Sequence, residues 1–394
     1  MTEKLYYTDA YMKDFRARVL SCEKKDGVWH TVLDRSAFYP GGGGQPSDTG
    51  TVGAARLISA YAENGVIVHV TDRAVRGEVD CAVDFDARFR RMQNHTGEHI
   101  LSGLFARLYG AVNVGFHMGS EDVTLDLNVE LTAEDIARVE ALANEAVYEN
   151  VPVTAYFPSR EELDATDYRS KLEFPEGAQV RLVRIGDYDI CACSATHVRS
   201  TGEIGVIKIT SFARYKGGVR IHMLAGRDAF EEYVRSYSCL TASAQSLSVR
   251  TDELGDALKR IEEKSAASAR DKLALSRALA DSLILLAQNG TQSEKAAVYG
   301  GTAVFFEPLF GTEEMRYLIN RAVLSFSGAA VFSGNDTDGY LFVLSAGKDD
   351  SRELLSRLRE LIPINGGGKS DMVSGRTSAS AEQIAGAFSR LGEN

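Results

Sequence analysis

Cysteine and histidine are both scarce in this chain of 394 residues, which contains five cysteines and seven histidines. The cysteines are odd in number and lie far apart, so they do not form the framework of a small disulfide-bonded secreted domain. This usage indicates a protein of the reducing cytosol, and we predict a cytoplasmic location.

Long apolar runs are also missing. The longest apolar stretches, such as residues 283–287, are far shorter than the run of about 20 residues that spans a bilayer. The first residues contain no basic segment followed by an apolar core, which is the pattern of a secretion signal. We therefore predict that no membrane is involved.

An excess of positive charge is absent as well, because the net charge is −11. This value disfavours nonspecific binding of nucleic acid by the whole surface but is compatible with a local basic patch. Basic residues cluster before His95 and between residues 198 and 227, where Glu203 is the single acid. Such clusters suit either a solvated strand face or contact with a phosphate backbone. The candidates for phosphate contact are Arg88, Arg214, Lys216, Arg220 and, near the C-terminus, Lys369.

Two short pairs of metal-binding residues stand out because their residue types are so rare here. His95 and His99 are four residues apart, as are Cys193 and His197. Two histidines at this spacing project from one face of a helix, and together with a thiolate and a third imidazole they complete a tetrahedral zinc site. Cys191 is a rival thiolate, which we expect to be a bystander because it breaks the four-residue spacing.

The alternative interpretation of each pair is an ordinary surface or core position. We assign that role to the remaining histidines, which are His30, His69, His117 and His222. Four protein ligands leave no position for water on a tetrahedral metal. Zinc is therefore expected to orient a substrate or shape a pocket, and to act as a Lewis acid only by expanding its shell or losing a ligand.

A glycine-rich loop, Phe38–Gly50, is the second strong signal. Four successive glycines permit positive φ angles and close approach of a ligand or another backbone, and Gln45 and Asp48 lie beside them. A barrel turn is the alternative interpretation. A nucleotide-binding P-loop is disfavoured because no Gly-Lys-Ser/Thr sequence follows.

The pattern of elements predicts an α+β protein. Short alternating strands between residues 14 and 86, with hairpin signals at Asp26-Gly27 and Asn64-Gly65, predict a small β-barrel within 1–87. Within 88–227, a zinc-binding α+β domain, we predict helices over 92–109 and 132–148 and strands over 180–185 and 203–210.

The rest of the chain is predicted as two further segments. Residues 228–289 have helical spacing and form a long helical linker. Residues 290–394 form an α/β domain with strands over 329–332 and 340–344, helices over 351–361 and 379–391, and a glycine-rich loop over 365–371.

The chain resembles the alanyl-tRNA editing family, which includes the editing domain of alanyl-tRNA synthetase and its free-standing relatives of the AlaX type. The matching segments are Phe38–Gly50, His95-Thr96-x-x-His99, Cys193-x-x-Thr196-His197-Val198, Thr201–Gly205 and Arg220-Ile221. The helical linker and residues 366–375 resemble the C-terminal domain of the synthetase, so the resemblance covers nearly the whole chain. No aminoacylation domain precedes the barrel, and the chain contains no Asp-His-His phosphoesterase motif. Both absences favour a long-form, stand-alone editor.

The resemblance implies that His95, His99, Cys193 and His197 hold zinc and that Gln45 lines the pocket, where we also place Asp48 and Thr96. It implies a trans-editing hydrolase that cleaves the ester of mischarged tRNA for alanine, with Ser-tRNA(Ala) as the expected substrate. Asp48, Glu98 and a water held by backbone groups are the open alternatives for activating the attacking water. Ser194 and Ala195 replace the two glycines common in the family and are expected to narrow the pocket.

Two alternatives remain open. The substrate could be another mischarged tRNA, or zinc could stabilise a tRNA-binding protein without hydrolysis. The expected partner in each case is tRNA, and a homodimer could form through the helical linker or the C-terminal domain. The basic candidates named above are the expected tRNA contacts.

Overall fold

A computed structural model describes residues 1–119, 122–170, 174–175, 177–290 and 292–393. The chain divides into two compact units, of which the first spans Met1–Ala242 and the second begins at Ser243. Both units combine helices with sheets, so the predicted α+β class is confirmed. The finer division at residues 87, 227 and 289 stays a prediction.

The first unit opens with six strands that form a closed barrel, in the order β2-β3-β7-β6-β5-β8. Two of its hairpins turn at Asp26-Gly27 and Asn64-Gly65, where all four residues have positive φ, as type I′ turns require. The elements of this region are β1 (Glu3–Lys4), α1 (Leu5–Thr8), β2 (Asp14–Lys25), β3 (Val28–Leu33), β4 (Arg35–Ser36), β5 (Gly50–Val52), β6 (Ala55–Glu63), β7 (Val66–Thr71) and β8 (Glu78–Val83).

The remainder of the first unit surrounds one long helix with two antiparallel sheets. Its elements are α2 (Phe85–Tyr109), β9 (Asn113–Met118), β10 (Val123–Leu127), α3 (Ala133–Glu149), β11 (Val153–Tyr156), α4 (Arg160–Ala165), β12 (Leu182–Ile185), β13 (Asp189–Ala192), β14 (Ile207–Tyr215), β15 (Gly218–Ala225) and α5 (Arg227–Ser246). The sheets have the orders β14-β15-β10-β9 and β11-β12-β13. Helix α2 contacts both sheets, so its middle turns are buried.

Helix α2 begins two turns before the predicted start at residue 92. The carboxylate of Asp84 caps it by accepting a hydrogen bond from the backbone N–H of Ala87, and Gly110, at a φ of 62°, ends it. The predicted histidine pair therefore lies in the middle of the helix rather than in its first turns.

The strand predicted over 203–210 is wrong in its first half. Thr201–Ile204 form a 3-10 turn, and β14 begins only at Ile207. The interruption lies at Gly205, whose φ of 81° is incompatible with a continuous strand.

The second unit contains a six-stranded sheet with the order β16-β17-β18-β19-β21-β20, in which only β17 and β18 pair in parallel. Its elements are α6 (Leu254–Gln288), β16 (Ala296–Tyr299), β17 (Thr302–Phe306), α7 (Thr312–Ala322), β18 (Gly328–Asn335), β19 (Gly339–Ser345), α8 (Ser351–Arg359), β20 (Ile364–Gly368), β21 (Val373–Thr377) and α9 (Ala381–Gly392). Two apolar clusters cover the sheet, one with α6 and α7 and the other with α8 and α9.

The glycine-rich loop predicted over 365–371 is instead mostly strand β20, which pairs with β21. A Cβ on Gly375 would lie only 2.0 Å from the carbonyl oxygen of Asn365. Glycine at this position lets the two strands pair closely. The loop was predicted because glycine-rich composition is also typical of loops. None of the helices in the described part of the chain combines the length and apolar content of a membrane span.

Candidate metal centre

The first half of the centre comes from helix α2. His95 and His99 lie one turn apart, their ring centroids are separated by 5.2 Å, and both side chains are buried. Gly103, one turn further on, lets β13 approach the helix, because a Cβ there would lie 2.3 Å from the carbonyl oxygen of Tyr188. This close approach brings the second half of the centre to the helix.

The second half comes from the loop that follows β13. The Nη1 of Arg181 donates hydrogen bonds of 2.9 Å to the carbonyl oxygens of Cys193 and Ala195. The backbone N–H of Cys193 donates in return to the carbonyl oxygen of Arg181. One buried arginine thus fixes the backbone that carries Cys193 and His197.

The four predicted ligands meet at one point. Ligand atoms of His95, His99, Cys193 and His197 all lie within 4.8 Å of one another. The Cys193 sulfur lies 3.6 Å from Nε2 of His95 and 3.4 Å from Nε2 of His197. Bonds to zinc of about 2.3 Å from sulfur and about 2.0 Å from nitrogen, at a tetrahedral angle, place these atoms about 3.6 Å apart. The donor spacing therefore fits zinc.

Hydrogen bonds to the outer ring nitrogens orient all three imidazoles. Nδ1 of His95 lies 2.6 Å from Oε1 of Gln45, and Nδ1 of His99 lies 2.9 Å from a carboxylate oxygen of Asp189. Since these oxygens only accept, each Nδ1 carries the proton. Nδ1 of His197 lies 3.1 Å from the Thr96 hydroxyl, which uses its own hydrogen to bind the carbonyl of Met92. Each Nε2 lone pair is thereby left for a metal.

Charge in the centre also suits a cation. Burial raises the pKa of the Cys193 thiol, but His95 and His197 outweigh burial and hold that pKa well below its usual range. Burial lowers the pKa of His197 to about 3, so this ring stays neutral. The Cys193 thiolate and the neutral His197 ring are in the protonation states that a metal requires of its ligands. Burial lowers the pKa of His99, but Cys191, Asp189 and Cys193 outweigh burial and hold that pKa well above its usual value, so metal binding would release a proton from His99.

Asp189 supports the centre from behind. It is buried, and it accepts hydrogen bonds from His99 and from two nitrogens of Arg169. Burial raises the pKa of its carboxyl, but His99 and Arg169 together keep that pKa below its usual value. His99, Asp189 and Cys191 form a second group of close ligand atoms, which shares His99 with the first.

The glycine-rich loop places Gln45. Gly41, Gly42, Gly43 and Gly44 all have positive φ, and a Cβ on Gly44 would lie 2.3 Å from the carbonyl oxygen of Phe116. The loop therefore lies against β9, and Gln45 is buried behind His95 rather than on a pocket wall. Nε2 of Gln45 has no hydrogen-bond partner among the described residues.

The other predicted pocket residues have structural partners. Thr96 is fully buried against His197, as described above. Asp48 is fully buried in an ion pair with Arg88, and it also accepts from the backbone N–H of Tyr39. Neither Thr96 nor Asp48 lines the cavity at the centre. Arg88 has no exposed side-chain surface, so the prediction that it contacts tRNA is not carried forward.

The other predicted basic contacts are Arg214, Lys216 and Arg220 in the first unit and Lys369 in the second. Arg214 and Lys216 lie at the β14–β15 hairpin, with the Arg214 side chain exposed and 3.3 Å from Glu130. Arg220 pairs with Asp126 at 2.6 Å. Lys369, in the second unit, is exposed in the turn between β20 and β21.

A cavity of about 540 Å³ opens beside the four ligands. Its polar wall includes His95, His99, Cys193 and Glu98, and the Glu98 carboxylate accepts hydrogen bonds from Ser102 and Asn113. Ser194 and Ala195 line the same space, and their narrowing of it stays a prediction.

Sequence reasoning missed the supporting residues Asp189, Arg169 and Arg181. A usable signal existed for the first, because Asp189, Cys191 and Cys193 alternate along the chain and so face one side of an extended segment. Arg169 and Arg181 carry no comparable local signal, since their partners lie 20 and 12 residues away.

Known proteins share this arrangement of segments. Residues 180–222, which include Cys193 and His197, match the threonyl and alanyl tRNA synthetase second additional domain. The alanine–tRNA ligase of Natronomonas pharaonis is 33% identical over 93% of this chain and 39% of its own length. That of Pyrococcus abyssi is 30% identical over 95% of this chain and 42% of its own length. That of Pyrobaculum neutrophilum is 36% identical over 67% of this chain and 31% of its own length.

The chain thus carries a domain of the threonyl and alanyl tRNA synthetase class. It spans about two fifths of the length of the first relatives it matches. The resemblance predicted from the sequence is confirmed: the chain is an AlaX-like protein related to domains of alanyl-tRNA synthetase.

Proposed function

We propose that this protein is a trans-editing hydrolase that cleaves the ester bond of mischarged tRNA for alanine, with Ser-tRNA(Ala) as its substrate. The observation that carries the proposal is the convergence of His95, His99, Cys193 and His197 beside a cavity, at spacings that fit zinc. The similarity to alanine–tRNA ligases supports the choice of tRNA for alanine.

The four ligands hold zinc in this proposal, and the surrounding residues prepare them for it. Gln45, Asp189 and Thr96 fix the three imidazoles with Nε2 inward. When bound, zinc would supply positive charge beside the ester carbonyl.

Hydrolysis needs a water that attacks the ester carbonyl carbon while the bond to the ribose oxygen breaks. Glu98 is the only carboxylic acid among the described residues that line the cavity. We assign it to hold the attacking water and accept its proton, since Ser102 and Asn113 fix its position. The ribose oxygen takes up a proton as it leaves, so the products are free serine and uncharged tRNA.

Editing is useful for physical reasons. A pocket built for alanine cannot strongly reject a substrate that adds only a hydroxyl, so a second hydrolytic site corrects the error. A hydrolytic site that hydrogen-bonds that hydroxyl discriminates far better, because alanine leaves its polar groups unpaired. The Ser194 side chain, on the cavity wall, is our candidate for this contact.

The test is the rate of serine release from Ser-tRNA(Ala), with Ala-tRNA(Ala) as the comparison substrate. Fast release of serine with alanine spared is expected. Cys193→Ala should reduce zinc content, measured by mass spectrometry, and slow deacylation by more than about 100-fold, because a direct ligand matters more than a supporting one. The exposed Cys239 provides the matched control, Cys239→Ala, which should change neither. Full activity without zinc would refute the metal role.

The closed ligand set also permits a second function. If zinc is purely structural, the protein would bind tRNA without hydrolysing it. Binding of Ser-tRNA(Ala) with no release of serine would select this alternative. Release from a different member of a panel of mischarged tRNAs would instead reassign the substrate.

Contact with tRNA is proposed for Arg214, Lys216, Arg220 and Lys369. Lys369→Ala should weaken tRNA binding modestly and lower its salt dependence by about one phosphate contact.

A homodimer through the helical linker or second unit is proposed alongside, and sedimentation of the full chain tests it.

A further inference from the structure

Cys191 is a thiol close to the metal centre that the proposed function leaves unused. It lies two residues before Cys193, and each of the two sulfurs lies within 4.8 Å of a ring nitrogen of His99. Both cysteines also line the cavity of about 540 Å³. Side chains two residues apart in an extended segment face the same side, so the two thiols face the same space.

The two cysteines differ in how their backbone is held. Cys191 lies within β13, where it pairs with Val183 on one side and forms a bridge with Arg169 on the other. The strand ends at Ala192, so Cys193 begins the loop that follows. One thiol is therefore fixed within a sheet, and the other lies just beyond the end of the strand.

The separation of the two residues is close to the upper limit for a disulfide. Two steps along an extended chain span at most about 6.6–7.2 Å between Cα atoms. The Cα atoms of disulfide-bonded cysteines are usually about 4.4–6.8 Å apart. A bond between Cys191 and Cys193 therefore requires the loop to bend slightly towards β13. Strained disulfides of this kind are easily reduced and are typical of regulation rather than of structure.

We propose that Cys191 and Cys193 form a reversible disulfide when hydrogen peroxide enters the cavity, and that this bond disables the metal centre. Hydrogen peroxide is little larger than water, so the cavity admits it to both sulfurs. The bond removes Cys193 from the four ligands, and metal affinity depends on the complete set. The inference uses the zinc of the proposed function but does not depend on hydrolysis.

The oxidation balances with one molecule of peroxide. The Cys193 thiolate attacks a peroxide oxygen, so a sulfur–oxygen bond forms, the oxygen–oxygen bond breaks, and hydroxide leaves and takes a proton from solvent. The Cys191 sulfur then attacks the Cys193 sulfur, so the disulfide forms and the sulfur–oxygen bond breaks. The second water carries away the proton of Cys191. The two sulfurs together lose the two electrons that reduce the peroxide.

Cys191 also determines how far oxidation proceeds. A sulfenic acid without a neighbouring thiol is oxidised further to sulfinic and sulfonic acids, which dithiols do not reduce. With Cys191 present, oxidation stops at the disulfide, which a dithiol reduces. This difference distinguishes a redox pair from a buried cysteine that only fills space.

The test treats the full-length, zinc-loaded protein with hydrogen peroxide, removes the peroxide with catalase, and then adds dithiothreitol and zinc. A chromogenic chelator measures the zinc that is released. Mass spectrometry of the tryptic peptide 185–199, which contains both cysteines, detects the disulfide as a loss of two hydrogens. We expect the wild-type protein to release zinc, form this disulfide and recover most of its zinc binding after reduction.

Cys191→Ser removes the second thiol but keeps its size. The variant should hold zinc before treatment, because Cys191 is not one of the four ligands, and this zinc content also checks that it folds. Cys191→Ala is a second variant for the same comparison. After peroxide, both should lose most of the recovery, because Cys193 is overoxidised. Cys239→Ser is the matched control, since Cys239 is an exposed thiol on α5 outside the cavity, and it should recover like the wild type.

Absence of the disulfide in the oxidised wild-type protein would overturn the proposal. Equal recovery of zinc binding in wild type and Cys191→Ser would overturn it as well. The readouts are metal content and mass, so they are independent of deacylation. A protein that forms the disulfide and releases zinc, but does not hydrolyse Ser-tRNA(Ala), would remove the proposed hydrolase alone. Hydrolysis with no disulfide would remove the redox pair alone.

Discussion

The two units of this protein bury very different side chains. Among the described residues, the second unit buries one ionisable polar side chain, Glu307, within cores that are otherwise apolar or hydroxylic. The first unit buries many, namely Asp48, His69, Arg88, His95, Glu98, His99, Arg181, Asp189 and His197. Burying such groups is unfavourable unless they are paired, so their concentration indicates where the chemistry of the protein lies.

Two ion pairs of the first unit contain a fully buried carboxylate. One pair, Arg88 and Asp48, joins the barrel to α2 and is away from the cavity. The other, Arg169 and Asp189, lies directly behind His99. We expect the first pair to affect the free energy of unfolding and the second pair to affect metal affinity.

The largest effect should come from breaking the first pair. Arg88→Leu leaves Asp48 buried without its main partner, and we expect the free energy of unfolding to fall by about 3–5 kcal/mol. Urea denaturation measures this loss. Replacing both residues, with Asp48→Asn added, should recover much of it.

The matched control for that experiment lies in the second unit. Arg352 forms a close but exposed pair with Asp350, and Arg352→Leu should leave stability nearly unchanged because solvent screens exposed pairs. Similar losses from both variants would contradict the contrast between the units.

An intermediate effect should come from Asp189→Asn. The amide keeps the size of the carboxylate but loses its charge, so it holds His99 less firmly. We expect zinc affinity to fall 10- to 100-fold, as for other supporting residues of metal sites, in a competition assay with a chelator. Asp187→Asn, at an exposed position two residues earlier, should have no effect. Unchanged affinity in Asp189→Asn would remove Asp189 from the metal centre.

The smallest effect concerns His69 in the barrel. Burial lowers the pKa of this histidine to about 4, while its value in the unfolded chain is about 6.5. Below pH 6.5 the unfolded chain binds a proton that the folded protein does not. The contribution of His69 to the free energy of unfolding is therefore fully present above pH 6.5. It falls as the pH falls towards 4 and levels off below 4. The loss between pH 7.5 and 5.5 should be about 1 kcal/mol.

His69→Gln isolates this contribution from the carboxylates. His69 lies 2.8 Å from the Ser36 hydroxyl and 3.2 Å from the carbonyl of Thr31, and glutamine retains both kinds of hydrogen bond. The difference in unfolding free energy between wild type and variant should shrink as the pH is lowered over this range. A constant difference would show that His69 does not titrate on unfolding.

Local patterns in the sequence predicted much of the fold. Asp26-Gly27, Asn64-Gly65 and the helical spacing along α6 each depend on neighbours in the chain, so they could be recognised there. Failures occurred where distant contacts override composition. Gly366, which was predicted to lie in a loop, pairs with Gly375 of the next strand because the missing side chains let two backbones approach.

The candidate site shows the same contrast between features that depend on chain neighbours and features that depend on distant contacts. The four ligands could be proposed because each pair is local, with a spacing of four residues. Arg88 was predicted to contact tRNA and Asp48 to line the pocket, because neither carries a local sign of the other, 40 residues away. Arg181 was missed for the same reason. Only the folded chain shows which charges are enclosed and which face the cavity.

The separation between the two ligand pairs has a consequence during synthesis. The histidine pair of α2 leaves the ribosome almost a hundred residues before Cys193 and His197. A growing chain can therefore offer a metal only two nitrogen donors until the loop after β13 has emerged and closed onto the helix. Metal affinity depends on the assembled set of ligands, so tight metal binding should begin only when the first unit is nearly complete. A firmly bound ion would therefore mark a chain whose first unit has already folded.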